Sequence, residues 1–261
     1  MTNLGVSSHI ASILSMADIL AVLYGEVLRY KPEEPKWAGR DRFILSKGHA
    51  GAGVYATLAE SGFFPVEKLQ SHYQDGSDLS GHVSHKGIPG VEFSTGSLGH
   101  GLPVAAGMAL AAKINNENNR AFVLLGDGEC DEGSNWEAIM FASHHKLDNL
   151  NLIVDNNRIS MLDHTDNIVS HSDLAKRLSS FGWDCIEIDG HDVIAVQKEL
   201  LKRKNTRKGK PKAIIAETLK GRGIPGLQNA SLSHIVNPKP ELINNILENL
   251  NNSLLEKEKK E

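Results

Sequence analysis

Cysteine is scarce: Cys130 and Cys185 are the only two in 261 residues. They cannot build a disulfide framework, so a cytoplasmic, reducing location is expected. Long apolar runs are also missing. No stretch reads as the about 18–20 apolar residues that a bilayer span needs, so no membrane association is expected. The first residues carry no basic segment leading into an apolar one, so no secretory signal is expected. Neither sign of charge dominates: 28 Lys and Arg against 32 Asp and Glu give a formal net charge of -4. That balance excludes an obvious electrostatic nucleic-acid binder. No internal repeat is visible. A 40% hydrophobic content excludes a disordered chain. Glycine (24) and histidine (12) are the abundant entries, as is common in α/β enzymes.

Periodicity sets the architecture. Apolar residues at helical spacing predict helices over 16–30, 52–61, 102–114, 134–145 and 193–203. FILS at 43–46, AFVLL at 121–125, LNLIVD at 150–155, WDCIEID at 183–189 and KAIIAETL at 212–219 predict strands. Continuous apolar strands are buried on both faces. The alternation therefore predicts an α/β fold, a mostly parallel sheet flanked by helices on both faces. The glycine-rich segment 74–101 shows little periodicity, and a loop that long in a compact domain usually carries function. The basic run at 202–211 reads as a solvated connection.

The most informative segment is 121–160. A buried strand ends at Leu125 and Gly126-Asp127-Gly128 follows; after a helix, a second buried strand ends at Asp155 and Asn156-Asn157 follows. In a right-handed βαβ unit both carboxyl ends open on one edge, with neighbouring strands about 4.8 Å apart. An Asp at one tip and an Asn at the next can then reach one cation. Mg²⁺ takes a few hard oxygens from protein and the rest from water or phosphate. A diphosphate bound through Mg²⁺ at this edge is the natural reading. A Gly-Asp-Gly turn alone also serves simply to start a helix.

GDG followed about thirty residues on by NN resembles the thiamine diphosphate motif, and the longer match resembles the N-terminal, diphosphate-binding half of transketolase. MADIL at 16–20, PKWAGRDRFILSKGHA at 35–50, STGSLGHGLPVAAGMALA at 94–111, FGWDCIEIDGHD at 181–192 and ETLKGRG at 217–223 resemble family segments in order. The resemblance implies one diphosphate-binding domain over 1–250, followed by a frayed polar tail at 251–261. It implies that Asp127, Asn157 and the carbonyl of Ile159 bind Mg²⁺, or Ca²⁺ or Mn²⁺ in its place. It further implies that His49, Gly96, Ser97, Leu98, Gly128, Asn157 and His234 contact thiamine diphosphate. His9, His82 and His234 would surround the sugar hydroxyls and move protons, which suits imidazole. Glu132 and Glu137 match glutamates that couple two active sites across a contact between subunits; each also favours the positive start of its helix.

The segment after His9 departs from the family pattern, as do His100 and Ile235, so the donor pocket is expected to be built differently. In the family, the glutamate that bonds the cofactor's aminopyrimidine lies beyond the matching part. The resemblance thus implies inactivity alone and pairing with a separately encoded C-terminal subunit in an α2β2 assembly. The implied reaction is transfer of a two-carbon ketol unit from a ketose or its phosphate to an aldose or its phosphate. Two other functions remain open: the α-type component of a 2-oxo acid dehydrogenase, and a regulatory subunit without chemistry.

Overall fold

In the computed structural model, residues 1, 9–169, 173–205, 209–224, 226–230, 239, 241 and 243–248 are described. The expected tail at 251–261 and His234 lie outside these residues. Five strands form one parallel sheet in the order β1-β2-β3-β5-β4. They are β1 (Arg42–Leu45), β2 (Ala121–Gly126), β3 (Leu150–Asn156), β4 (Asp184–Asp189) and β5 (Lys212–Glu217). The α-helices α1 (Ile10–Val22), α2 (Gly51–Glu60), α3 (Gly101–Ile114), α4 (Gly133–His144), α5 (Thr165–Ile168), α6 (Leu174–Ser180) and α7 (Val193–Asn205) accompany them, and residues 243–248 are helical as well.

The continuous apolar strands are buried on both faces because successive side chains point opposite ways. Phe122, Leu124, Ile153, Ile214 and Ala216 enter one core with α1, α2 and α7. Val123, Leu125, Leu152, Val154, Ala213 and Ile215 enter the other with α3, α4 and α6. Each such Val, Leu or Ile contributes about 1.5–3 kcal/mol through burial. β4 is different. It lies at the sheet edge and carries exposed Asp184, Glu187 and Asp189, charges that discourage pairing with another chain.

Three sequence expectations need correction: the start of the first helix, the absence of an 18-residue apolar run, and one short helix. The first helix starts at Ile10, not residue 16, because its early turns hide small polar side chains, Ser12 and Ser15, that break the apolar pattern. It runs on as a π-turn from Leu23 to Val27, so Ile10–Val27 is one 18-residue segment long and apolar enough to cross a bilayer. More than half of it is buried against α2, α7 and the sheet, which is the environment of a core helix. The short helix α6 was also absent from the expected elements; its seven residues are too few to show a clear period.

Candidate active site

β2 and β3 pair in register with Gly126 opposite Asp155, so their carboxyl ends meet on one edge. Asp127 follows one tip and Asn157 the other. The Asp127 carboxylate accepts the N–H of Gly128 at 2.8 Å and, through its second oxygen, the N–H of Arg158. The backbone joins them too, Asp127 N–H donating to the Asp155 carbonyl at 3.2 Å. Asn157 turns its amide oxygen to the Ile159 N–H at 3.1 Å and its amide nitrogen to Asp155 at 3.3 Å. The two tips therefore form one structure. Burial, then the nearby Asp155 charge, raises the Asp127 carboxyl to a pKa of about 6.

Beneath them sits a buried charge network. The Lys47 ammonium bonds the Asp155 carboxylate, which also accepts the hydroxyls of Ser15 and Thr218. Lys47 also donates to the Ser12 carbonyl at 2.9 Å. Burial opposes charge on Asp155, but Lys47 and these hydrogen bonds outweigh it and hold its pKa below the ordinary value. Lys220 reaches in from beyond β5 and donates to the carbonyls of Ile159 at 3.0 Å and Ser160 at 3.1 Å. Burial, then Lys47, lowers its pKa to about 8.

A second buried carboxylate, Glu129, ties the glycine-rich loop to the strand tip. It accepts the Ser46 hydroxyl, the Gly99 N–H at 2.9 Å and the Gly126 N–H at 3.3 Å. Gly99 has φ of +81°, and a side chain there would strike Ser134 and Glu132. Ser46 in turn accepts the first N–H of α3, that of Gly101, at 3.0 Å. These contacts hold Leu98 in the wall of a cavity of about 380 Å³. Its other walls include Asp127, Gly128, Asn157, Ile159 and Lys220.

His49 stands in the short turn Gly48–Ala50 that leads from β1 into α2, with its Nε2 3.3 Å from the Ser12 hydroxyl. It lines both the large cavity and a smaller pocket of about 40 Å³ that also holds His9 and His82. The ring centre of His9 lies 5.1 Å from that of His49 and 5.9 Å from that of His82. Burial, then His82 and Lys220, lowers the His9 pKa. Gly96 packs beside the His82 ring. Ser97 is exposed and does not line the large cavity. Glu132 lines that cavity, whereas Glu137 sits outside its wall, exposed on α4. His85 turns to Ser94 at 2.7 Å, not to His82.

The donor set suits a hard divalent cation that carries phosphate: one carboxylate, one carboxamide and one backbone carbonyl on a shared edge. The Ile159 carbonyl already faces a positive group, the Lys220 ammonium. Among the described residues no group of three or more His, Cys, Asp or Glu side chains could hold a metal. Sequence reasoning missed Lys47, Glu129 and Lys220 as site residues. The usable signal was their position: each falls at the carboxyl end of a strand or just beyond it.

Residues 3–250 match the family model described as "Transketolase, thiamine diphosphate binding domain". The chain is 41% identical over 249 residues to one of the subunits of the apulose-4-phosphate transketolase of Actinobacillus succinogenes, covering 95% of this chain and 89% of that protein. It is 38% identical over 231 residues to the 6-deoxy-6-sulfo-D-fructose transketolase subunit SqwG of a Clostridium species, covering 88% of this chain and 83% of that one. The crystal structure of transketolase from Campylobacter jejuni superposes with a TM-score of 0.89 at 34% identity, over 95% of this chain. This chain spans 40% of that longer one. With strand tips, glycine loop and histidines assembled on one sheet edge, and a family match over nearly its whole length, the chain belongs to the transketolase family, as a thiamine diphosphate-binding domain.

Proposed function

We propose that the chain is the thiamine diphosphate-binding subunit of a two-chain transketolase. It would act with a separately encoded C-terminal subunit in an α2β2 assembly, moving a two-carbon ketol unit from a ketose or its phosphate to an aldose or its phosphate. One observation carries the reading: Asp127 and Asn157 meet at adjoining strand tips, with the N–H of Arg158 on the Asp127 carboxylate. The names of two relatives, each a transketolase subunit matched over most of its length, support the division into two chains.

Asp127, the Asn157 amide oxygen and the Ile159 carbonyl would hold Mg²⁺, with Ca²⁺ or Mn²⁺ able to replace it. Gly128, His49, Gly96 and Leu98 would flank the diphosphate, with Ser97 on the outer side of the loop. When bound, thiamine diphosphate supplies the carbanion chemistry that moves the ketol unit. Lys47 and Lys220 place positive charge where phosphate arrives, and Asp155 keeps Lys47 fixed. His9, whose burial keeps it neutral near pH 7, can accept a proton at a ring nitrogen. His82 faces it across the pocket and would bind donor hydroxyls, with His234 assigned the same role from the family pattern.

Titration calorimetry with thiamine diphosphate and Mg²⁺ tests the cation site. Asp127→Asn should weaken cation-dependent cofactor binding by at least about 100-fold, beyond the about 10–100-fold typical of outer-shell changes. Binding unchanged by that substitution would refute the assignment. Ketol transfer by the chain alone would refute the two-chain reading.

A further inference from the structure

We propose that His72 is a sugar-recognising residue of this site: its imidazole takes a hydroxyl of the ketose donor that enters the histidine pocket. The inference rests on the transketolase reading above and adds a residue that neither the motif pattern nor the histidine trio includes.

His72 is only 2% exposed, and neither ring nitrogen has a hydrogen-bond partner among the described residues. Buried polar groups are almost always satisfied, because an unmade bond costs the full desolvation of the group. An ordinary core histidine would bond a neighbour. Two tyrosine rings stand beside it, Tyr73 at 6.1 Å and Tyr55 at 6.2 Å, and neither bonds it; the Tyr55 hydroxyl is committed to the His82 carbonyl at 3.0 Å and the Ser84 N–H at 2.8 Å. The ring instead forms a wall of the pocket of about 40 Å³ shared with His9, His49 and His82. That space admits a hydroxyl or a few waters, not a whole sugar.

The neighbouring backbone is set for this placement. Tyr73 has φ of +59°, a conformation costly for an aromatic residue, and its N–H is held by the Leu79 carbonyl at 2.8 Å. Its ring lies on Gly81, where any side chain would collide with it. Tyr73 is about half exposed and lines the same pocket beside His72. His49 borders this pocket and the diphosphate cavity alike, so a hydroxyl on His72 belongs to a molecule that extends toward the cofactor.

The test uses the chain assembled with its C-terminal partner and compares wild type, His72→Leu and His72→Gln. A ketose phosphate donor is measured beside analogues lacking single hydroxyls. For His72→Leu the expected result is a thermal midpoint equal to or above wild type, because an unsatisfied buried group has gone. Thiamine diphosphate affinity should stay within about twofold, while donor KM rises about tenfold and kcat falls less. The penalty should vanish for one deoxy donor, and His72→Gln should recover part of it. Unchanged donor KM in His72→Leu overturns the proposal. So does a KM rise that comes with lost assembly or a lowered midpoint and is not rescued by Gln. A wild-type assembly that transfers no ketol unit sinks the functional reading itself. An active wild type with an indifferent His72→Leu sinks this inference alone.

Discussion

The two ends of the site are built on opposite principles. At the diphosphate end, polar groups are buried and tightly bonded: Asp127 takes two backbone N–H groups, Asp155 takes Lys47 and two hydroxyls, and Glu129 takes three donors. At the histidine end, neither ring nitrogen of His72 has a partner among the described residues, and His82 is exposed on a loop. The first end rests on the tips of central parallel strands, which cannot shift without breaking the sheet. The second rests on the loop 72–96 and the start of α1. A constant ligand, a diphosphate, suits a rigid and fully satisfied cradle. A sugar of variable shape suits side chains kept in reserve.

The comparison can be broken most forcefully at the rigid end. Lys47→Met leaves Asp155 buried and without its countercharge, and should destabilise the chain by about 3–5 kcal/mol in denaturant unfolding. Combining it with Asp155→Asn should recover much of that loss. If Lys47→Met alone is neutral, the network is not what holds the tips. Glu129→Gln is expected to cost less, about 1–3 kcal/mol, since one acceptor becomes a donor facing Ser46 and the Gly99 and Gly126 N–H groups. Hydrogen exchange should accelerate at the Gly99 amide in that variant, and an unaltered rate there would separate the loop from the carboxylate.

The smallest expected effect lies at the histidine end and is read by pH. Burial, then His82 and Lys220, lowers His9; burial, then the N-terminal ammonium, lowers His72. The unfolded chain therefore binds more protons than the folded one between those lowered values and the ordinary value of 6.5. Stability should begin to fall as pH drops below 6.5 and continue until the lowered values are passed. His72→Leu should flatten that decline. An identical acid profile in wild type and variant would show that His72 titrates alike in the folded and unfolded chain, against a lowering by burial.

Much of the fold was legible because burial on both faces leaves a plain mark: β2, β3 and β5 are near-continuous apolar runs, and helices fill the intervals. The tips were legible because Gly-Asp-Gly and Asn-Asn follow those runs directly. The beginning of α1 was hidden, since Ser12 and Ser15 look solvent-facing in a linear pattern and are in fact buried against the charge network. Lys47, Glu129 and Lys220 were hidden for the same reason. Charged residues are read as surface by default, and only three-dimensional pairing offsets the cost of their burial.

What the sequence by itself determined is the parallel α/β sheet and the edge on which Asp127 and Asn157 meet. Those follow from local rules: period, strand burial and the right-handed crossover. What only the tertiary structure decided is which charges lie inside, which of them neutralise each other, and which histidine is left with unmade bonds. Such choices depend on partners distant along the chain, with Lys47 and Asp155 separated by 108 positions. The free energy of a buried polar group is set by its neighbours in space and not by its neighbours in sequence.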